Sequence, residues 1–110
     1  MAVVLVDAEN VRRSLWPNLA PDELVARCAA WAAREGHEAV VVFDGTAPGG
    51  AVSAGGSADD WIAARAAELR EARTPFVVVS SDRGLRARIR GAERLVGGGA
   101  FARTLTADDV

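Results

Sequence analysis

The hydrophobic pattern of the chain consists of short unbroken apolar runs separated by stretches with helical periodicity. Ala2 to Val6, Ala39 to Phe43 and Phe76 to Ser80 are valine-rich and only a few residues long, as expected of strands buried on both faces of a parallel sheet. Each run gives way to an acid: Asp7, Asp44 and, after Ser81, Asp82. Between the runs lie helical signals. Asn10 to Leu15 suits a short turn that Trp16-Pro17 must break. Pro21 opens a longer helix, with Asp22 and Glu23 near its positive end, Leu24, Cys28 and Trp31 on one face, and Gly36 as its stop.

Ser57-Ala58-Asp59-Asp60 starts another helix with a serine cap, and Ala58, Ile62, Ala66 and Leu69 make its inner stripe. Before it, the Gly-, Ala- and Pro-rich segment 46–57 leaves room for a short edge strand at Ala51-Val52-Ser53. Leu85 and Ile89 carry a brief helix, Glu93 to Val96 a last strand, and Gly97-Gly98-Gly99 a flexible turn. Phe101 and Leu105 then pack one helical turn back onto the body. Strands alternating with helices predict an α/β domain with a parallel sheet and right-handed crossovers. We place the domain at 1–105 and a short, fraying C-terminal tail at 106–110.

Composition narrows the chemistry more than the fold. A chain of 110 residues, half of them apolar, builds one core. One cysteine and one histidine exclude an internal disulfide and a zinc site, so any reaction centre is built from oxygen ligands. Cys28 lies on a packing stripe and reads as a core residue, and His37 as a surface or capping residue with nothing to orient it as a base. The loop 46–57 has no lysine and is not a phosphate-binding P-loop. The net charge of −2 conceals a basic stretch, since Arg83, Arg86, Arg88, Arg90, Arg94 and Arg103 face only Glu93. The opening apolar run is too short for a signal sequence or a membrane span. A cytoplasmic location and no membrane partner are expected.

A strand order of 3-2-1-4-5 would put the reversal point between the strands ending at Asp7 and Asp82, where open α/β sheets bind ligands. Asp59 and Asp60, in the first turn of their helix, would reach the same edge, with Asp44 as an outer member. Singly, each acid has an ordinary explanation as a helix cap or turn residue. Together they repel one another, and a divalent cation relieves that repulsion. An all-oxygen set of this kind suits Mg²⁺ or Mn²⁺ and in-line attack on a phosphodiester.

Leu5-Val6-Asp7-x-x-Asn10, Trp16-Pro17, Val42-Phe43-Asp44-Gly45, Ser57-Ala58-Asp59-Asp60-x-Ile62, Ser80-Ser81-Asp82 and Gly91-Ala92 occur in that order over nearly the whole chain. In this the sequence resembles the NYN domain of the YacP-like group, a branch of the PIN-like nucleases. The resemblance implies a PIN-like three-layer α/β sandwich and a metal-dependent ribonuclease, with an endonucleolytic cut expected. Asp7, Asp59 and Asp82 would hold Mg²⁺ or Mn²⁺, Asn10 would support the catalytic site, and Asp60 and Asp44 would be further metal ligands. The chain departs from the group at Ala8, where glycine is common, at Glu9, which adds an acid, and in the shortened segment between Asp44 and Asp59.

Arg12, Arg13 and Arg83 follow two of the acids directly and are candidates for contacts with RNA phosphates, with Arg86 extending the track. Arg88 and Arg90 are open between that role and a solvated face. Trp16, before a proline, is read as a packing plug in preference to a base-stacking platform. RNA is thus the expected partner, while association with the ribosome, a protein regulator and the oligomeric state are left open. The competing reading is a non-catalytic RNA- or ribosome-binding PIN-like module, against which the set of mutually repelling acids argues. A phosphoacceptor switch would want a lysine near the acids, and the chain has none.

Overall fold

The computed structural model describes residues 1–107, and in it the five strands form one parallel sheet in the order β3-β2-β1-β4-β5. The central strand β1 (Val3–Asp7) pairs on one side with β2 (Glu38–Phe43), Val3 opposite Glu38 and Asp7 opposite Val42. On its other side it pairs with β4 (Phe76–Val79), Val3 opposite Phe76 and Val6 opposite Val79. The edges are β3 (Val52–Ser53) beside β2 and β5 (Arg94–Val96) beside β4. Because β1 is flanked on both sides, its run carries no alternation of polarity, and Val4, Leu5 and Val6 are all buried.

Helices cover both faces. On one, α1 (Ala8–Arg12), α2 (Pro21–Glu35) and α5 (Gly98–Leu105) bury Val11, Leu24, Cys28, Phe101 and Leu105 against Val4, Val6, Val41 and Val79. On the other, α3 (Ala58–Glu71) and α4 (Arg83–Arg88) bury Ile62, Leu69 and Leu85 against Leu5, Val42, Phe76 and Val78. These are the three layers of the expected sandwich. Gly36 closes α2 in the left-handed conformation, at φ 72°, where a side chain would be strained. Burial pushes the Cys28 thiol up to about 12, so it is an unreactive packing residue. Among the described residues no helix is long and apolar enough to cross a membrane.

Three expectations change. The short helical turn expected over Asn10 to Leu15 runs over Ala8–Arg12 and starts directly at the end of β1. Gly98 and Gly99 belong to the first turn of α5 and are not a flexible turn. The Gly98 N–H donates to Ser81 Oγ at 2.8 Å, and a Cβ at Gly98 would overlap Asn10 Oδ1, so glycine allows a close approach there. Trp16 is not a packing plug, since it is 92% exposed while its neighbours Leu15 and Leu19 pack into the core. The chain beyond Leu105 continues as a turn through Thr106 and Ala107. Most of the tail proposed for 106–110 lies outside the described residues.

Candidate active site

The carboxyl ends of β1, β2 and β4 and the amino end of α3 open into one cleft of about 530 Å³. Asp7, Glu9, Asp44, Asp59 and Asp82 line it, with Arg13 as the one cation of the lining among the described residues. Topology brings them together. Asp7 ends the central strand, Asp44 follows its neighbour on one side, Asp82 follows its neighbour on the other, and α3 starts beside them because Asp44 Oδ1 accepts the Ala58 N–H at 2.7 Å. The crossovers leave β1 toward one side of the sheet and return on the other, so the cleft sits at the reversal point.

Local chemistry holds each acid differently. Asp7 is buried, and its Oδ2 accepts the Ser80 hydroxyl at 2.8 Å. Burial raises the Asp7 carboxyl above its ordinary range, the Ser80 bond partly offsets this, and the charges of Asp59 and Asp44 raise it further. The Asp59 carboxyl is also raised, by burial first and then by Asp82 and Asp44. The Asp59 carboxylate makes no hydrogen bond among the described residues. Asp82 caps α4 through the Leu85 N–H at 2.9 Å.

Asn10 acts through its neighbours. Its Oδ1 accepts the Ser81 N–H at 2.9 Å, Ser81 Oγ accepts the Gly98 N–H, and Ser80 Oγ accepts the Asp82 N–H at 3.1 Å. Together these bonds tie α1, the β4–α4 loop and α5 into one frame that sets where Asp82 starts its helix. Asn10 itself also lines the cleft.

The structure does not gather every residue singled out in the sequence. Asp60 does not line the cleft, because α3 turns it outward to pair with Arg88 at 2.8 Å. Arg12 folds back, donating to Glu9 at 2.6 Å and to the Leu19 carbonyl at 2.9 Å, and so holds its loop instead of lining the cleft. Arg83 and Arg86 lie on α4 outside the lining and make no ion pair among the described residues. Arg13 reaches the cleft with its side chain 68% exposed, held at one point by Glu9 at 3.2 Å.

The sequence reading left out Ser14, Ser57 and Ser81 as lining residues and Ser80 as the partner of Asp7. For Ser80 a signal existed. Once β1 and β4 are aligned with Val6 opposite Val79, the next residues of the two strands are Asp7 and Ser80, side by side.

The donor set fits a hard cation, being oxygen only and short of positive charge. Among the described residues no group of three acids is drawn together tightly enough to enclose an ion. An enclosed cage is not required, because Mg²⁺ keeps several waters and needs only one or two direct carboxylates.

No family model matches the chain, and no curated protein matches it by sequence. Among solved structures, a crystal structure of a point mutant of Rae1 (YacP) from Bacillus subtilis is similar with a TM-score of 0.78 and 26% identity, over 99% of this chain and 77% of that one. Five parallel strands in the order 3-2-1-4-5, the order of the polar motifs and this structural likeness are together consistent with a YacP-like NYN domain of the PIN-like fold.

Proposed function

We propose that this chain is a metal-dependent ribonuclease that hydrolyses RNA phosphodiester bonds at the acidic cleft. One observation carries the reading. Four aspartates from four separate segments, Asp7, Asp44, Asp59 and Asp82, line one opening at the reversal point of the sheet, and two of them are held above their ordinary carboxyl range. Asp44 and Asp82 also cap α3 and α4, but the repulsion among the four acids is a cost to the fold that a cation or substrate relieves.

One or two of Asp7, Asp59 and Asp82 would hold Mg²⁺ or Mn²⁺ directly and the rest through its waters, with Asp44 at the outer side. The cation supplies, when bound, Lewis acidity for in-line attack of water on a phosphodiester. The protein's own contribution is orientation. The Ser80 hydroxyl fixes the Asp7 carboxylate, and Asn10 holds Ser81 and with it the start of α4. Arg13, mostly solvated, can meet a phosphate oxygen entering the cleft.

Incubating the purified protein with structured and unstructured RNA, in Mn²⁺, Mg²⁺ or chelator, tests the reading. Cleavage that needs the metal supports it, and a circular RNA that is linearised identifies the cut as internal. No cleavage under any condition sinks it. A non-catalytic RNA-binding module then stands, a reading favoured by the second roles of Asp44 and Asp82 as acceptors for the N-termini of α3 and α4.

A further inference from the structure

Trp16 is a large aromatic ring held in water. Such exposure normally means that a loop is loose or that the ring has a ligand. Looseness does not fit. On one side of the tryptophan, Ser14 donates both its N–H and its hydroxyl to the Val11 carbonyl, at 3.2 and 2.6 Å. On the other, the Leu19 N–H donates to the Arg12 carbonyl at 3.1 Å while Arg12 Nε returns a bond to the Leu19 carbonyl at 2.9 Å. Leu15 and Leu19 anchor the same segment in the core. The loop is closed on itself and pinned, and what it presents outward is the indole.

Its position points to the ligand. Ser14 and Arg13 line the acidic cleft, and the Cα of Trp16 lies within about 7 Å of that of Ser14 by chain geometry. Arg13 lines the cleft and Trp16 follows it on the same pinned loop, so a guanidinium and an indole near a cleft that takes a phosphodiester match the two halves of a nucleotide, the phosphate and the base face. A base inside a duplex has no free face to offer, so only an unpaired base can use the ring.

We propose that Trp16, with Arg13 beside it, is a stacking platform for an unpaired base next to the bound phosphodiester, and that it selects single-stranded over double-stranded RNA. The proposal rests on the ribonuclease reading of the cleft for its substrate, but its test does not depend on cleavage.

Binding of a labelled unstructured oligoribonucleotide and of a duplex of the same length is measured in chelator, for the parent, W16A and W16F. W16A is expected to bind the single strand roughly tenfold or more weakly, to bind the duplex as the parent does, and to melt at the parent's temperature. W16F is expected to retain most of the affinity. Trp16 is far more exposed than Trp31 and Trp61, so the single strand should quench the parent's indole fluorescence and leave that of W16A almost unchanged.

A W16A variant that binds the single strand like the parent overturns the proposal, as does equal weakening toward both RNAs, a fall in its melting temperature, or a parent that binds no single strand. Cleavage in Mn²⁺, assayed in parallel, separates the two readings. Stacking without cleavage leaves the platform and removes the ribonuclease, whereas cleavage without Trp16-dependent binding does the reverse.

Discussion

The two edges of the same sheet are built on opposite principles. At the amino edge, polar groups are matched to one another: the Val3 N–H donates to the Pro75 carbonyl, the Glu38 N–H to the Ala2 carbonyl and the Ala2 N–H to His37 Nδ1 at 3.1 Å. The His37 ring also leans on Trp31, with centroids 5.6 Å apart. At the carboxyl edge, Glu9 is paired with Arg12 and Arg13, but four aspartates face one another across an open cleft, and the hydrogen bonds to Asp7, Asp44 and Asp82 position them without neutralising them. The first edge satisfies its polar groups and supports the fold. The second concentrates one sign of charge, which is a cost to the fold and a use to a cation or a substrate.

Substituting Asp7 breaks that contrast most sharply. Asp7→Asn keeps an oxygen to accept the Ser80 hydroxyl and removes a charge, so metal-dependent cleavage should fall at least about a hundredfold in a rate assay. Without metal, its melting temperature should equal or exceed the parent's at neutral pH. A rate equal to the parent's would remove Asp7 from the site, and a large drop in melting temperature would make it structural.

The same contrast has a pH signature. Asp7 and Asp59 hold their protons more tightly in the folded chain than in the unfolded one, because burial and neighbouring acids disfavour their charged forms. The folded state therefore binds more protons across the window between the ordinary carboxylate value of 3.8 and the raised ones. The contribution of these groups to stability is complete below that window and is lost as pH rises through it. Melting curves of the metal-free protein should show this loss, and Asp7→Asn should shrink it.

Gly98→Ala attacks the frame beneath the acids. A methyl group there overlaps Asn10 Oδ1, so Asn10 or α5 must shift, at a cost of about 1–3 kcal/mol in urea unfolding. At the amino edge, His37→Ala removes the acceptor for the Ala2 N–H and should cost about 1 kcal/mol in stability with no change in RNA cleavage. Should His37→Ala abolish cleavage in a protein that remains folded, the separation of the two edges is wrong.

The smallest expected effect concerns charge reach. Arg83 is exposed at the start of α4, directly after Asp82. Arg83→Ala should weaken RNA binding and lower the slope of log affinity against log salt by about one unit. Arg73 closes the turn after α3 and leads to Pro75 at the amino edge, so Arg73→Ala serves as the control and should change neither. Equal slopes for parent, Arg83→Ala and Arg73→Ala would make α4 a merely solvated face.

Local chemistry was enough to reveal the layout of this molecule. Three valine-rich runs, a proline at one helix start, a serine cap at another and a glycine stop are short-range signals, each read within a few residues. They yielded the α/β class and, with the strand order taken as 3-2-1-4-5, four of the cleft acids, Asp7, Asp44, Asp59 and Asp82, because strand ends and helix starts in a parallel sheet share an edge. Whatever depends on the direction of a side chain was beyond that reach. Asp59 and Asp60 are adjacent in the chain, yet one helical step of about 100° sends Asp59 into the cleft and Asp60 out to Arg88. Arg12 and Arg13 part in the same way, one folded onto the Leu19 carbonyl and the other at the rim. The Gly98 approach to Asn10 and the outward indole of Trp16 were decided by packing between segments far apart in sequence, which no local preference encodes.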